Sequence, residues 1–226
     1  MLALKLGLSL NNIKTSGASW SPDDESSLVA WYKNAAGITE DGGNVSAWAD
    51  SSTNSFNMVQ GTASKQPAYS AGVLTFDAST TEYLQTTSQI TVEDEFTIGF
   101  RANPSAYNTT IIGDNTTSNE FFKYDASGAK IIVKIGGSNK NLSLDSGTFG
   151  DDYILITRDS SNLMTLYRNG VAQSSTQTLT GSVEIDAIGV REEDNNPFDG
   201  TIEEIQIYSS IDSKLTANVN AYLAEI

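Results

Sequence analysis

Apolar and polar residues alternate along most of this chain, in short runs separated by Asp, Asn, Ser and Gly. Alternation with period two places every second side chain on one face of an extended strand. Phe198–Tyr208 reads as a long strand, where Ile205 and Ile207 alternate with Gln206 and Tyr208. Pro197 and Gly200 punctuate its start, so it predicts a strand opened by a turn, with one face in a core.

The same grammar recurs upstream. Phe96, Ile98 and Phe100 share a face, and Tyr153–Arg158 and Leu163–Arg168 flank Asp159-Ser160-Ser161-Asn162, which reads as a hairpin. Asn169-Gly170 is a candidate type I′ turn, because both residues tolerate the positive φ that this turn requires. Roughly a dozen short strands at regular spacing, with no strand–helix–strand alternation, predict an antiparallel sandwich or jelly roll rather than a parallel sheet. One segment has the helical period: Leu215, Val219, Tyr222, Leu223 and Ile226, with Thr216 as a candidate N-cap. It predicts a short terminal helix lying on the sheet.

The first ten residues alternate most strictly, with Leu2, Leu4, Leu6, Leu8 and Leu10 separated by Ala, Lys, Gly and Ser. Lys5, Gly7 and Ser9 interrupt what a signal peptide would keep as an unbroken apolar core. An extended arm fits better, and it needs a partner edge, either in its own domain or in a neighbouring subunit. Residues 11–22 read as a polar linker in which Trp20 covers an end of the domain. We therefore expect an arm and linker over 1–22 and one domain over 23–226.

Composition narrows the function. The chain of 226 residues carries 13 basic and 28 acidic side chains, a net charge of −15, and neither cysteine nor histidine. Disulfides, Cys/His zinc sites, cysteine nucleophiles and histidine-dependent triads are excluded. The acidic balance argues against nucleic acid and against anionic membrane surfaces as partners.

Four segments then occur in a recognisable order: Phe96-Thr97-Ile98-Gly99-Phe100, Leu155-Ile156-Thr157-Arg158-Asp159, Leu166-Tyr167-Arg168-Asn169-Gly170-Val171 and Phe198–Tyr208. Together they resemble a laminin-G-like, concanavalin-A-like jelly roll. The segment around Trp31, Trp48-Ala49-Asp50, and Pro67-Ala68-Tyr69 ahead of Leu74-Thr75-Phe76-Asp77 resemble the opening half of such domains on virions. The whole chain, with its leucine-alternating start, also resembles structural proteins of tailed bacteriophages of marine cyanobacteria. That resemblance implies a virion component, which needs no export signal because lysis releases it.

The resemblance also says which chemistry to look for. Glycan-cleaving relatives would carry paired acids on one strand face. Glu184-Ile185-Asp186 comes closest but has Ile188 at the third position, and Glu93-Asp94-Glu95 lies in a polar turn; both read as solvated acids. Glu203 shares the parity of Ile205 and Ile207, so either a bulge at Gly200 shifts the register or the acid is bonded and structural. Calcium, which the resemblance implies as a ligand aid, would use rim oxygens from Asp114 and Asn115 and from Asp194 and Asn195. Trp48, Tyr107 and Tyr124 are candidates for stacking on sugar rings. The combined expectation is a non-enzymatic, homo-oligomeric virion structural protein, tethered to other virion proteins through Leu2, Leu4, Leu6, Leu8 and Leu10 and displaying a jelly roll. The alternative is a calcium-assisted module for host surface glycan. No catalytic residue and no firm metal site is expected.

Overall fold

The computed structural model describes residues 20–116 and 120–226, and within them the alternating runs become antiparallel strands. In chain order these are β1 (Leu28–Tyr32), β2 (Ile38–Asp41), β3 (Asn44–Trp48), β4 (Met58–Val59), β5 (Ala68–Ser70) and β6 (Val73–Phe76). There follow β7 (Leu84–Val92), β8 (Phe96–Pro104), β9 (Thr110–Gly113), β10 (Phe121–Tyr124), β11 (Lys130–Ile135) and β12 (Ser138–Ser143). Next come β13 (Asp152–Arg158), β14 (Leu163–Arg168), β15 (Val171–Thr178), β16 (Val183–Ile188) and β17 (Gly200–Tyr208), and the chain closes with α1 (Ser213–Leu223). The five arm leucines, Leu2 to Leu10, lie outside the described residues.

One layer runs β15–β14–β13–β8–β17, with β6 and β1 sharing the far side of β17. The other runs β12–β11–β10–β9–β16–β7–β4–β3–β2, and β5 links β3 to β6. Between them lies one apolar core that includes Trp48, Phe76, Phe96, Phe100, Phe122, Ile156 and Ile205, all essentially inaccessible to solvent. The expected all-β jelly-roll sandwich with a short C-terminal helix is the observed fold.

The helix covers the outer face of the first layer, where Leu215, Val219 and Leu223 pack on Leu155 and Tyr208. Gly99 makes that approach possible: a Cβ there would stand 2.9 Å from Val219 and 3.0 Å from Leu223. Its N-cap is Asp212, whose side chain accepts from Leu215 N at 2.8 Å, rather than the expected Thr216 further along the chain. Trp20 packs edge-on against Tyr222 with ring centroids 6.0 Å apart, so the folded body begins before residue 23.

The helix also changes the reading of β17. Gln206 and Tyr208, expected opposite the core, are as fully buried as Ile205 and Ile207. The bulge falls at Glu203 rather than at Gly200: the pairing with β8 steps from Ile202 directly to Glu204. Glu203 therefore faces Arg101, at 3.6 Å, and Glu204 takes the buried position. The Glu204 carboxylate accepts from Trp31 Nε1 at 2.5 Å, Asn34 N at 2.6 Å and Gln206 Nε2 at 2.8 Å. Tyr208 in turn donates to Gln206 Oε1 at 2.8 Å. The structural acid anticipated in this strand exists, one residue later than expected.

Candidate functional site

A cleft opens on the face of the second layer turned away from the core, and a strand irregularity creates it. Strand β7 pairs with β16 at Ile90–Ile185 and resumes at Gln85–Ala187. Four residues, Thr86 to Gln89, thus stand opposite Asp186 alone, and the chain must leave the plane of the sheet. The excursion and its neighbours line a cleft of about 620 Å³, formed by Gln60, Tyr83, Gln85, Thr86, Gln89 and Asp186 together with Val59, Thr87 and Thr116.

Asp186 forms the floor and is 3% exposed. Its Oδ1 accepts from Asn115 N at 2.7 Å, and its Oδ2 accepts from Gln85 Nε2 at 3.0 Å and from the Thr116 hydroxyl. Gln85 Nε2 also donates to Thr116 Oγ1 at 2.8 Å. These bonds hold Gln85 and Asp186 in place before any ligand arrives. Gln60 is fixed through its Nε2, which donates to Tyr83 O at 3.3 Å, and its Oε1, which accepts from Thr62 N at 3.0 Å. Gln89 differs: its Nε2 is buried yet has no hydrogen-bond partner among the described residues.

The rim continues the same network. Asn115 Nδ2 donates to Asp194 Oδ1 at 2.9 Å, and Asp194 N donates back to Asn115 Oδ1 at 2.8 Å. Lys65 Nζ lies 2.6 Å from Asp194 Oδ2 and 5.3 Å from the centroid of the Tyr83 ring. Burial pushes the Asp194 carboxyl up, but the hydrogen bonds from Lys65 and Asn115 and the lysine charge outweigh it, so its pKa is held below the ordinary value. The hydrogen bond to Asp194 raises the Lys65 ammonium in return.

The four rim residues expected from the sequence are therefore partly brought together. Asn115 and Asp194 bond to each other across 79 positions. Asp114 is buried and accepts from Thr116 N at 2.8 Å, and exposed Asn195 donates to Glu192 O. Among the described residues no group of three or more Asp, Glu, His or Cys side chains could hold a metal ion. Of the expected stacking aromatics, Trp48 and Tyr124 are fully buried, and the Tyr107 hydroxyl donates to Phe149 O at 2.7 Å. Asp186, read from sequence as a solvated acid, is the buried floor of the cleft. Exposed Glu93 and Asp94 match their solvated reading.

Two antiparallel layers with a helix over one face and a polar cleft in the other make a concanavalin-A-like jelly roll. The chain belongs to the Concanavalin A-like lectin/glucanases superfamily, whose laminin-G-type signature matches residues 77–216. No curated protein sequence matches it. Among solved structures it is similar to the binding domain of Paraclostridial Mosquitocidal Protein 1, at 14% identity and a TM-score of 0.59, over 90% of this chain and 52% of that one. It is also similar to the receptor binding domain of botulinum neurotoxin mosaic serotype C/D, at 16% identity and a TM-score of 0.57, over 91% and 52% of the two chains. A Trypanosoma rangeli sialidase in complex with sialic acid matches at 12% identity and a TM-score of 0.55, over 89% and 33%. The chain thus spans about half the length of the two toxin domains. At these identities the likeness concerns the fold alone.

Proposed function

We propose that this chain is a non-enzymatic glycan-binding module and that the cleft opposite Asp186 receives the sugar. The observation that carries the reading is the lining itself. Gln60, Gln85, Gln89, Thr86, Thr87 and Thr116 present amides and hydroxyls beside the apolar edges of Tyr83 and Val59. Polar groups fixed in place next to a modest apolar surface suit a ligand that is hydroxyl-rich on its edges and apolar on its ring faces. The unpartnered Gln89 Nε2 is a donor waiting for an acceptor. The superfamily and the toxin binding domains that share the fold support recognition as the task.

The acids support binding without turnover. Asp186 is the one carboxylate lining the cleft among the described residues, and it already accepts three hydrogen bonds. Glycoside cleavage ordinarily uses two carboxyls flanking the bond. Calcium has no evident task at the rim, because the Lys65 ammonium occupies the place on Asp194 that a cation would take. Millimolar calcium is expected to leave the thermal midpoint unchanged; a midpoint that climbs with calcium concentration would place a bound ion in the folded state.

An array of immobilised glycans, probed with the whole chain, tests the reading: binding to at least one glycan class is expected, and blanks throughout would remove it. Gln89→Met adds a sharper arm. The substitution removes a donor that has no partner, so stability should stay within about 0.5 kcal/mol of wild type or rise. Affinity for the bound glycan should fall about tenfold, the loss of one hydrogen bond in the complex. Unchanged affinity in Gln89→Met would move the site elsewhere.

The leucine alternation over Leu2–Leu10 favours a second reading at the level of the particle. In it the chain is a homo-oligomeric virion component, tethered to other virion proteins by its first residues and presenting the cleft to host surface glycan. Deleting residues 1–12 should abolish incorporation into particles; a truncated chain that still incorporates contradicts the tether.

A further inference from the structure

We propose that the cleft selects neutral saccharides and rejects acidic ones. This inference rests on reading the cleft as a sugar site, and it adds the class of sugar. Among the described residues Asp186 is the one charged side chain in the lining, and it sits at the floor, under whatever enters. A sugar carboxylate or sulfate brought over that floor meets a like charge in a partly dehydrated place, and like charges placed together at an interface oppose binding strongly.

Among the described residues no rim cation is left to offset that repulsion. Acidic ligands are ordinarily held by a guanidinium fork or an ammonium free to turn toward them. The nearest rim ammonium, Lys65, is held on Asp194 at 2.6 Å. The Arg191 guanidinium lies 4.7 Å from the Phe121 ring centroid, bonds Asn196 Oδ1 at 2.7 and 3.0 Å, and stands 3.6 Å from the Glu192 carboxylate. Both cations are engaged by protein groups. The net charge of −15 gives the rest of the surface the same sign as the floor.

Apart from Asp186, the described lining groups are neutral and supply no positive charge to hold an acid. Gln89 Nε2, buried at the lining with no partner among the described residues, can be satisfied by a sugar hydroxyl or by the carbonyl of an acetamido group, with no charge required of the ligand. Thr86, Thr87 and Gln60 offer neutral donors and acceptors in the same wall. A cleft of about 620 Å³ lies within the range of pockets that hold a drug-sized ligand, the size of a short oligosaccharide.

The test pairs each neutral glycan with its acidic derivative: lactose with 3′-sialyllactose, N-acetyllactosamine with its sialylated form, and galactotriose with trigalacturonate. Calorimetric titration of the whole chain should show neutral members binding at least about tenfold tighter than their acidic partners. Affinity for the neutral members should also change little with salt. Equal or tighter binding of the acidic members overturns the selection while leaving the sugar site standing. No binding in either arm removes the sugar site itself.

A gain of function makes the same point without disturbing the floor. Thr87 is exposed at the cleft wall. Thr87→Lys should raise the affinity for the acidic members about tenfold relative to that for the neutral ones. If the acidic members gain nothing in a variant with a wild-type thermal midpoint, charge at this cleft does not set the selection.

Discussion

Replacing Glu204 with alanine is expected to lower the unfolding free energy by about 3 kcal/mol or more, the loss seen when one partner of a buried polar cluster is removed. The carboxylate is fully buried between β1 and β17 and gathers three donors: the Trp31 indole, the Asn34 amide and the Gln206 side chain. Alanine leaves all three without acceptors, in a region that the helix and Trp31 close to water. The Trp31 ring, which contacts Tyr222 at 6.1 Å between centroids, also loses its anchor, so docking of the helix weakens as well. Urea unfolding followed by tryptophan fluorescence measures the loss. A change below about 1 kcal/mol would mean that the network is not closed to solvent.

The same residue gives a pH signature. Burial raises the Glu204 pKa above its ordinary 4.5, against the hydrogen bonds from Asn34, Gln206 and Trp31 and the charge of Lys33. The folded protein therefore holds this proton more tightly than the unfolded chain. Its contribution is complete below pH 4.5 and is lost as pH rises through the raised folded value. Glu204→Gln, which does not titrate at this position, should lack that component. Wild type should thus lose stability relative to the Glu204→Gln variant as pH rises from acid toward neutrality. A difference between the two proteins that is independent of pH would show that Glu204 titrates normally in the fold.

Arg158→Met is expected to cost about 3 kcal/mol, again through buried groups left unmatched. Arg158 is 0% exposed although it carries a guanidinium. Its nitrogens donate to Glu93 O at 2.9 Å, Gly181 O at 2.7 Å, Leu179 O at 3.4 Å and Asp94 O. Its carbon centre lies 4.9 Å from the Phe96 ring centroid. One side chain thus ties the β7–β8 turn to the β15–β16 connection, and methionine fills the volume without satisfying any carbonyl. Lysine should recover little, because a point charge cannot reproduce the fork. Thermal unfolding of the two variants tests this; an Arg158→Lys protein as stable as wild type would show that charge rather than geometry matters.

These sites show what a sequence discloses. Local patterns were legible. The alternation in Phe96–Phe100 and Leu163–Arg168 gave β8 and β14, and the pair Asn169-Gly170 indeed turns with φ of 49° and 78°. The helix could be read from Leu215, Val219 and Leu223 because its period depends on near neighbours. What could not be read depends on distant partners. A one-residue bulge against β8 moved burial from Glu203 to Glu204, since parity along a strand fails wherever the partner strand skips a residue. Likewise, Trp48 and Tyr124, candidates for stacking on sugar, end β3 and β10 where the two layers close over them.

The cleft is the clearest case. It exists because Thr86–Gln89 face Asp186 alone, and the two strands that create it are far apart in the chain. One local sign was present: the unbroken polar run Gln85–Gln89 between Leu84 and Ile90 cannot be a regular half-buried strand. The rim was partly visible, because loop carboxylates and amides pointed to Asn115 and Asp194. Their pairing with each other and with Lys65 was not.

Sugar is expected to bind at the β7 excursion over Asp186. The most direct test is an amide NMR titration of the isotopically labelled chain with lactose, N-acetyllactosamine and galactotriose. Saturable shifts are expected at Gln60, Tyr83, Gln85–Gln89, Asn115, Thr116 and Asp186, and nowhere else. Saturable shifts clustered elsewhere, or no saturable shift with any of the three, would contradict binding at this excursion.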